Sequence, residues 1–347
     1  MWYPNAWRGK MLTTALVLSF LPLTALAAVD EPTADKAAPR SRTFLFTYGA
    51  TVTGMKPGLV ARIWLPVPPS NEYQQVRLVA RELPAKGQIT HDPRWHNEIL
   101  YLEAAADAQG NIPLTLRYQV SRQEVTTDLK ELKATREPAA ENTGLAPFLK
   151  PDALVPLGGK PMDLLKGKEV PNDPLAAARV LYNVVDDHMR YSKEGTGWGR
   201  GDAVWACDSG HGNCTDFHSL FISLARSLQI PAKFEIGFPL PEKHGSGEIP
   251  GYHCWGWFHA DGRWIPVDIS EANKNPRMRA YYFGNLTPDR VAFTMGRDLL
   301  LEPRQAGPAL NYFIYPYLEV DGHPYPAEKV KRLFSFQDLE TGSKRGE

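Results

Sequence analysis

Three residues in this 347-residue chain have the types and surroundings for nucleophilic chemistry: Cys214, His253 and Asp268. Cys214 lies in Gly212-Asn213-Cys214-Thr215-Asp216-Phe217-His218. Apolar residues recur at Phe217, Leu220, Phe221, Leu224, Ala225 and Leu228, the stripe of a helix buried on one face. Asn213 is a fitting N-cap, and Pro231 closes the segment. Cys214 therefore falls on the first turn. The free amides and the helix dipole there favour a thiolate, and the cysteine's own N–H can take part in an oxyanion hole. Taken alone, Cys214 is equally well read as a small buried residue packing the helix start.

His253 and Asp268 flank a hairpin. Tyr252-His253-Cys254-Trp255-Gly256-Trp257-Phe258-His259-Ala260 and Arg263-Trp264-Ile265-Pro266-Val267-Asp268 are β-prone runs joined by Asp261-Gly262, a strong two-residue turn signal. With that loop Ala260 faces Arg263, and Trp255 faces Asp268. His253 shares the face of Trp255, so Asp268 is its diagonal neighbour, roughly 7–8 Å away between backbones and within side-chain reach. A three-residue loop reverses the parity and separates the pair. A cysteine on a helix start with a His–Asp pair on a hairpin makes an activated-thiol site. The imidazole accepts the thiol proton and later protonates a leaving amine, and the carboxylate orients it. Each of the two taken singly reads as an ordinary strand histidine or a strand-end cap.

Asn213-Cys214-Thr215-Asp216-Phe217-His218-Ser219-Leu220-Phe221 leading to Ile230-Pro231-Ala232, then His253-Cys254-Trp255, then Gly262-Arg263-Trp264-Ile265-Pro266-Val267-Asp268, resembles the transglutaminase-like superfamily over residues 172–275. The resemblance implies a papain-like α+β fold, with a Cys-bearing helix packed on an antiparallel sheet, and a Cys214-His253-Asp268 triad. The sequence shows no nucleotide loop and no calcium loop, and no cofactor or catalytic metal is expected. The resemblance also implies an upstream side chain as an extra oxyanion donor, for which Trp198 and Trp205 are the candidates. Cys207, Cys214, His211, His218 and His253 offer a competing zinc reading, but no C-x-x-C or H-E-x-x-H pattern supports it. Strand alternation turns Cys254 away from His253, so a Cys207–Cys254 disulfide that leaves Cys214 free stays open. Asp216 and His218 read as supports of the helix start.

The elements that must position these groups fall into segments. Arg8 and Lys10, the apolar run Met11–Leu26 and Ala25-Leu26-Ala27 read as a signal peptide over 1–27, cut after Ala27. The expected address is secreted or periplasmic. At 16 residues the run is short of the ~20 needed to span a membrane. Residues 28–41 read as a flexible leader and 42–125 as an all-β sandwich of short strands. Residues 126–171 are a proline-punctuated linker, 172–335 the catalytic domain, and 336–347 a polar tail. Asp173 and Pro174 start a helix that ends near Met189, and 191–212 read as a loop rich in Gly and Trp. Lys plus Arg number 39 against 39 Asp plus Glu, so no nucleic-acid footprint is present. The expected partner is a protein or peptide substrate. The chemistry is acyl transfer from a carboxamide or peptide bond, with an amine or water as acceptor. A binding protein that keeps the fold without turnover is the alternative.

Overall fold

The computed structural model describes residues 38–132 and 144–339. The signal-peptide segment, nearly all of the leader, part of the linker and the end of the tail lie outside the described residues. In chain order the first strands are β1 (Ser41–Val52), β2 (Val60–Pro66), β3 (Gln74–Glu82), β4 (Gln88–His91), β5 (Glu98–Ala105) and β6 (Ile112–Gln123). Helix α1 (Pro174–His188), strand β7 (Arg190–Tyr191), helix α2 (Ala203–Ser209), strand β8 (His211–Gly212) and helix α3 (Cys214–Ser227) follow. Then come β9 (Ala232–Pro239), β10 (Ser246–Glu248), β11 (His253–Ala260), β12 (Arg263–Val267) and α4 (Ile269–Lys274). The last strands are β13 (Arg290–Met295), β14 (Tyr317–Val320), β15 (His323–Pro324) and β16 (Val330–Asp338). The fold is α+β, and its larger sheets are antiparallel throughout.

Two five-stranded sheets, β10-β16-β1-β6-β3 and β15-β14-β2-β5-β4, hold the N-terminal strands. Residues 42–125 do not complete either one, because each sheet takes two strands from beyond residue 245. The strand β16 spans the expected boundary between the 172–335 segment and the tail. It runs to Asp338 and pairs with β1 from Val52↔Val330 to Phe44↔Asp338. The physical reason is the open edge of β1, whose amides and carbonyls must find partners. Val330, Phe334 and Phe336 supply β16 with a buried face. Arg42 locks the far end, with Nε and Nη2 donating to the two Asp338 oxygens at 2.8 and 2.9 Å.

The third sheet, β12-β11-β9-β13, carries the chemistry. The Asp261-Gly262 turn has φ of +49° and +72°, as a tight hairpin of this length demands. Ala260 pairs with Arg263 and Gly256 with Val267, so the two-residue parity holds. Helix α3 lies on the face bearing Cys254, Gly256 and Phe258: the Phe221 and Phe258 rings are 6.2 Å apart. Gly256 has no side chain to hold the helix off; a Cβ there would sit 3.6 Å from His218 Cδ2 and 3.3 Å from Val267 Cγ2. Every residue of α3 from Cys214 to Arg226 is buried. Phe217, Leu220, Phe221 and Leu224 are fully buried, each contributing about 1.5–3 kcal/mol of transfer free energy. Phe46 and Tyr48 of β1 meet Phe238 of β9 and Phe293 of β13, which welds the large sheet to the third one.

Asp173 caps α1 by accepting from the Ala176 amide at 2.7 Å, and Pro174 is its first residue. The 191–212 stretch contains α2, capped by Asp202 on the Val204 and Trp205 amides. Seven residues are too few to show a helical stripe in the sequence. No helix among the described residues is long and apolar enough to cross a membrane.

Candidate active site

The start of α3 is pinned by its own side chains. Asn213 caps it on the Thr215 amide at 2.9 Å, and Asp216 returns a bond to the Asn213 amide at 2.9 Å. Asp216 also accepts from Gly199 N at 2.7 Å and Gly201 N at 2.9 Å, so it ties the preceding glycine loop to the helix. Gly201 has φ +62°, and a Cβ there would lie 2.7 Å from Ser219 Oγ and 2.6 Å from Arg297 Nη1. Only glycine lets the loop pass this close.

Cys214 is 3% exposed on that first turn, and His253 begins β11. His253 Nε2 is 2.8 Å from Asp268 Oδ2, and the same imidazole interacts with the Cys214 thiol. Asp268 follows the last residue of β12 and caps α4, with Oδ1 accepting from the Glu271 amide at 3.2 Å. Arg290 from β13 donates through Nη1 to Asp268 Oδ2 at 2.9 Å, and its guanidinium lies 4.8 Å over the Trp255 ring. The structure thus brings Cys214, His253 and Asp268 together.

The electrostatics follow from these contacts. The Cys254 thiol hydrogen-bonds Cys214, and the bond and charge of His253 add to it; against the cost of burial they hold the Cys214 thiol well below its ordinary range. Burial resists protonation of His253, but the charge and hydrogen bond of Asp268 outweigh it and raise the imidazole to about 10. Burial would lift Asp268, yet His253 and Arg290 bring it below the usual carboxylate range. Cys254 itself is pushed well up, by burial first and then by the hydrogen bond and charge of Cys214.

His218 sits one turn below. Its Nδ1 donates to the Cys214 carbonyl at 2.7 Å, and its Nε2 accepts from the Ile269 amide at 3.1 Å. One donor and one acceptor define a neutral imidazole, in line with a pKa lowered by burial. This ring joins the Cys214 helix to the Asp268 cap. Replacing it with Leu strands a buried carbonyl and a buried amide, so His218→Leu is expected to cost about 2–4 kcal/mol in urea unfolding. An unchanged unfolding midpoint would show that these two bonds contribute nothing.

The oxyanion candidates behave differently. Trp198 spends its indole N–H on the Gly195 carbonyl at 3.2 Å. Trp205 lies edge-on to His211, with Gly197 packed closely against its indole nitrogen. The hydroxyl found at the Cys214 turn belongs to Tyr252, 3.2 Å from Asn213 Nδ2 and 3.1 Å from Thr215 Oγ1. Tyr252 and Arg290 carry no motif of their own; adjacency to His253 was the one signal for Tyr252.

The cysteine and zinc readings also resolve. All three cysteines are free. Cys207 donates to the Lys160 carbonyl at 3.6 Å, while Cys254 lies 3.8 Å from His218 Nδ1, so no Cys207–Cys254 bridge forms. His211 bonds the Ser209 carbonyl, and the zinc set is not gathered among the described residues. His253, Asp268 and Glu271 do place one ligand atom each within 4.8 Å of one another. Arg290 and Lys274 already neutralise those two carboxylates, so a divalent cation would have to displace both.

A cleft of about 620 Å³ opens beside His253, walled by Tyr191, Lys193, Tyr252, Glu271 and Lys274 among others. Residues 165–269 match the Transglutaminase-like superfamily, the span holding Cys214, His253 and Asp268. That segment is similar to the transglutaminase-like core. An uncharacterized protein of Haemophilus influenzae is 26% identical over 305 residues, 76% of this chain and 81% of its own length. Among solved structures, a candidate cysteine protease from Cytophaga hutchinsonii aligns with 18% identity and a TM-score of 0.49. That alignment covers 87% of this chain and all of the other. The periplasmic domain of TgpA from Pseudomonas aeruginosa aligns with 14% identity and a TM-score of 0.30, over 65% of this chain and 91% of that domain. The match ends at Ile269, one residue past Asp268, and leaves β13 with Arg290 outside it.

Proposed function

We propose that the chain is an exported thiol enzyme that transfers acyl groups from carboxamide or peptide bonds, with Cys214 as nucleophile, His253 as acid and base, and Asp268 as orienter. The observation that carries this reading is the His253 Nε2 to Asp268 Oδ2 bond of 2.8 Å on an imidazole that also holds the Cys214 thiol below its ordinary range. Cys214 sulfur attacks the carbonyl carbon as thiolate. His253, already protonated, delivers its proton to the departing amine, and a thioester remains. Water or a second amine then attacks the thioester, His253 takes its proton, and the thiolate returns. Asp268 holds the imidazole and balances its charge throughout. Residues 172–335 supply these groups, while Phe46 and Tyr48 of β1 brace β9 and β13. The cleft beside His253 suits a protein or peptide chain. Its mixture of Lys193, Lys274 and Glu271 favours a polar substrate over an apolar one.

The test is the alkylation rate of Cys214 against pH, with and without His253→Ala. Cys214 held low and His253 raised to about 10 make a thiolate–imidazolium pair. Fast alkylation is therefore expected below pH 7, with a flat profile up to about pH 10. The raised imidazole also stabilises the fold, fully below the unfolded histidine value of about 6.5. That contribution fades as the pH rises through about 10. In His253→Ala the alkylation rate should climb only near the ordinary thiol value of about 8.5. A wild-type profile that already rises there overturns the ion pair and leaves a fold-retaining binding protein as the reading.

A further inference from the structure

We propose that Tyr252 is a further catalytic residue of this site: its phenol, together with the Cys214 amide, takes up the oxyanion that forms when the thiolate adds to a carbonyl. This rests on the acyl-transfer reading above. The argument is a count of protons. Asn213 Nδ2 donates to the Tyr252 oxygen at 3.2 Å. Thr215 Oγ1 gives its own proton to Asn213 Oδ1 at 2.5 Å, so at 3.1 Å from Tyr252 it can only accept. Tyr312, 3.5 Å away, gives its proton to the Gly199 carbonyl at 3.2 Å. The Tyr252 proton is thus the one hydroxyl proton of the group whose acceptors are only neutral hydroxyls. A full negative charge beside it would be a stronger acceptor, since charge-assisted bonds are roughly twice as strong as neutral ones.

Position agrees with the count. Asn213 and Thr215 flank Cys214 in sequence, so a phenol held by both side chains stands over the first turn of α3. The Cys214 amide there has no helical carbonyl to bond. Tyr252 also lines the cleft that His253 lines. Its ring is held by Tyr312 at 5.5 Å and Tyr315 at 5.9 Å, so the hydroxyl is preorganised. Burial, with the neighbouring Cys214 charge behind it, raises the phenol far above its ordinary range, so it remains a donor at any working pH.

Two small reagents separate catalysis from architecture. p-Nitrophenyl acetate acylates a thiol through a tetrahedral oxyanion; iodoacetamide alkylates it by displacement and forms none. Tyr252→Phe keeps the ring and removes the O–H. Its acylation rate should fall roughly 100-fold while the rate and pH profile of Cys214 alkylation stay within about twofold. Tyr312→Phe, which removes the neighbouring hydroxyl, should leave both rates unchanged. Tyr252→Gln restores a neutral donor and should recover part of the acylation loss; it also serves if Tyr252→Phe does not fold. Acylation that is unchanged in Tyr252→Phe, or that falls in step with alkylation, or that is lost equally in Tyr312→Phe, overturns the proposal. If Cys214→Ala still forms the acyl-enzyme, the acyl-transfer reading itself fails. If Cys214→Ala is inert and Tyr252→Phe is normal, only the role of Tyr252 falls.

Discussion

Changing Cys214 to Ala is expected to lower turnover by roughly 10,000-fold or more and to leave the fold standing. The loss is large because no other group in the site can form the thioester: Cys254, the neighbouring thiol, is held protonated by burial and by the Cys214 charge. The fold survives because the capping of α3 does not involve the sulfur. Asn213, Asp216 and the glycine loop make those bonds, and His218 holds the Cys214 backbone carbonyl rather than its side chain. Removing one sulfur from a tight site is expected to cost no more than about 2 kcal/mol. Turnover of p-nitrophenyl acetate alongside urea unfolding checks both halves. Loss of activity with global unfolding would assign Cys214 to packing, and retained activity would remove it from the chemistry.

The second large effect is on stability. Asp268→Ala takes away the partner of a buried Arg290, the partner of a buried His253 and the cap of α4 in one change. Arg290 is 3% exposed and Asp268 fully buried, so water cannot replace the lost charge. Breaking a buried pair by deleting one member costs about 3–5 kcal/mol, and losing the cap adds about 1 kcal/mol. Asp268 sits below its usual range in the fold, so it contributes stability above the unfolded carboxylate value of about 3.9 and loses it as pH falls through the folded one. The variant should therefore be most handicapped near neutral pH and approach wild type in strong acid. Asp268→Asn keeps the shape and an acceptor oxygen, so it should unfold less readily than Asp268→Ala. It should also retain more activity than His253→Ala, because His253 moves the proton and Asp268 only steadies it. A wild-type midpoint for Asp268→Ala, or the reverse order of activities, would contradict these roles.

The sequence by itself determined what depends on near neighbours. The stripe from Phe217 to Leu228 and the Asn213 cap place a helix with Cys214 on its first turn, because helical period and capping act within a few residues. Asp261-Gly262 determines the hairpin parity for the same reason: two residues with positive φ set the register of both flanking strands. That register is enough to bring His253 and Asp268 to one another. The seven-residue α2 was not legible, since it is shorter than the window that reveals a period. What only the tertiary structure decided are meetings across long stretches of chain. Arg290 reaches Asp268 through β13, which joins the third sheet by way of β9. Tyr252 reaches Asn213 and Thr215 because α3 packs across β11. The same packing turns the face bearing Cys254 toward Cys214 and His218, where alternation alone could say only that it faces away from His253. The strand β16 travels nearly the length of the chain to cover the open edge of β1. Alternation and periodicity say which side of an element is buried. They do not say against what, because that choice is made by the packing of whole sheets and helices.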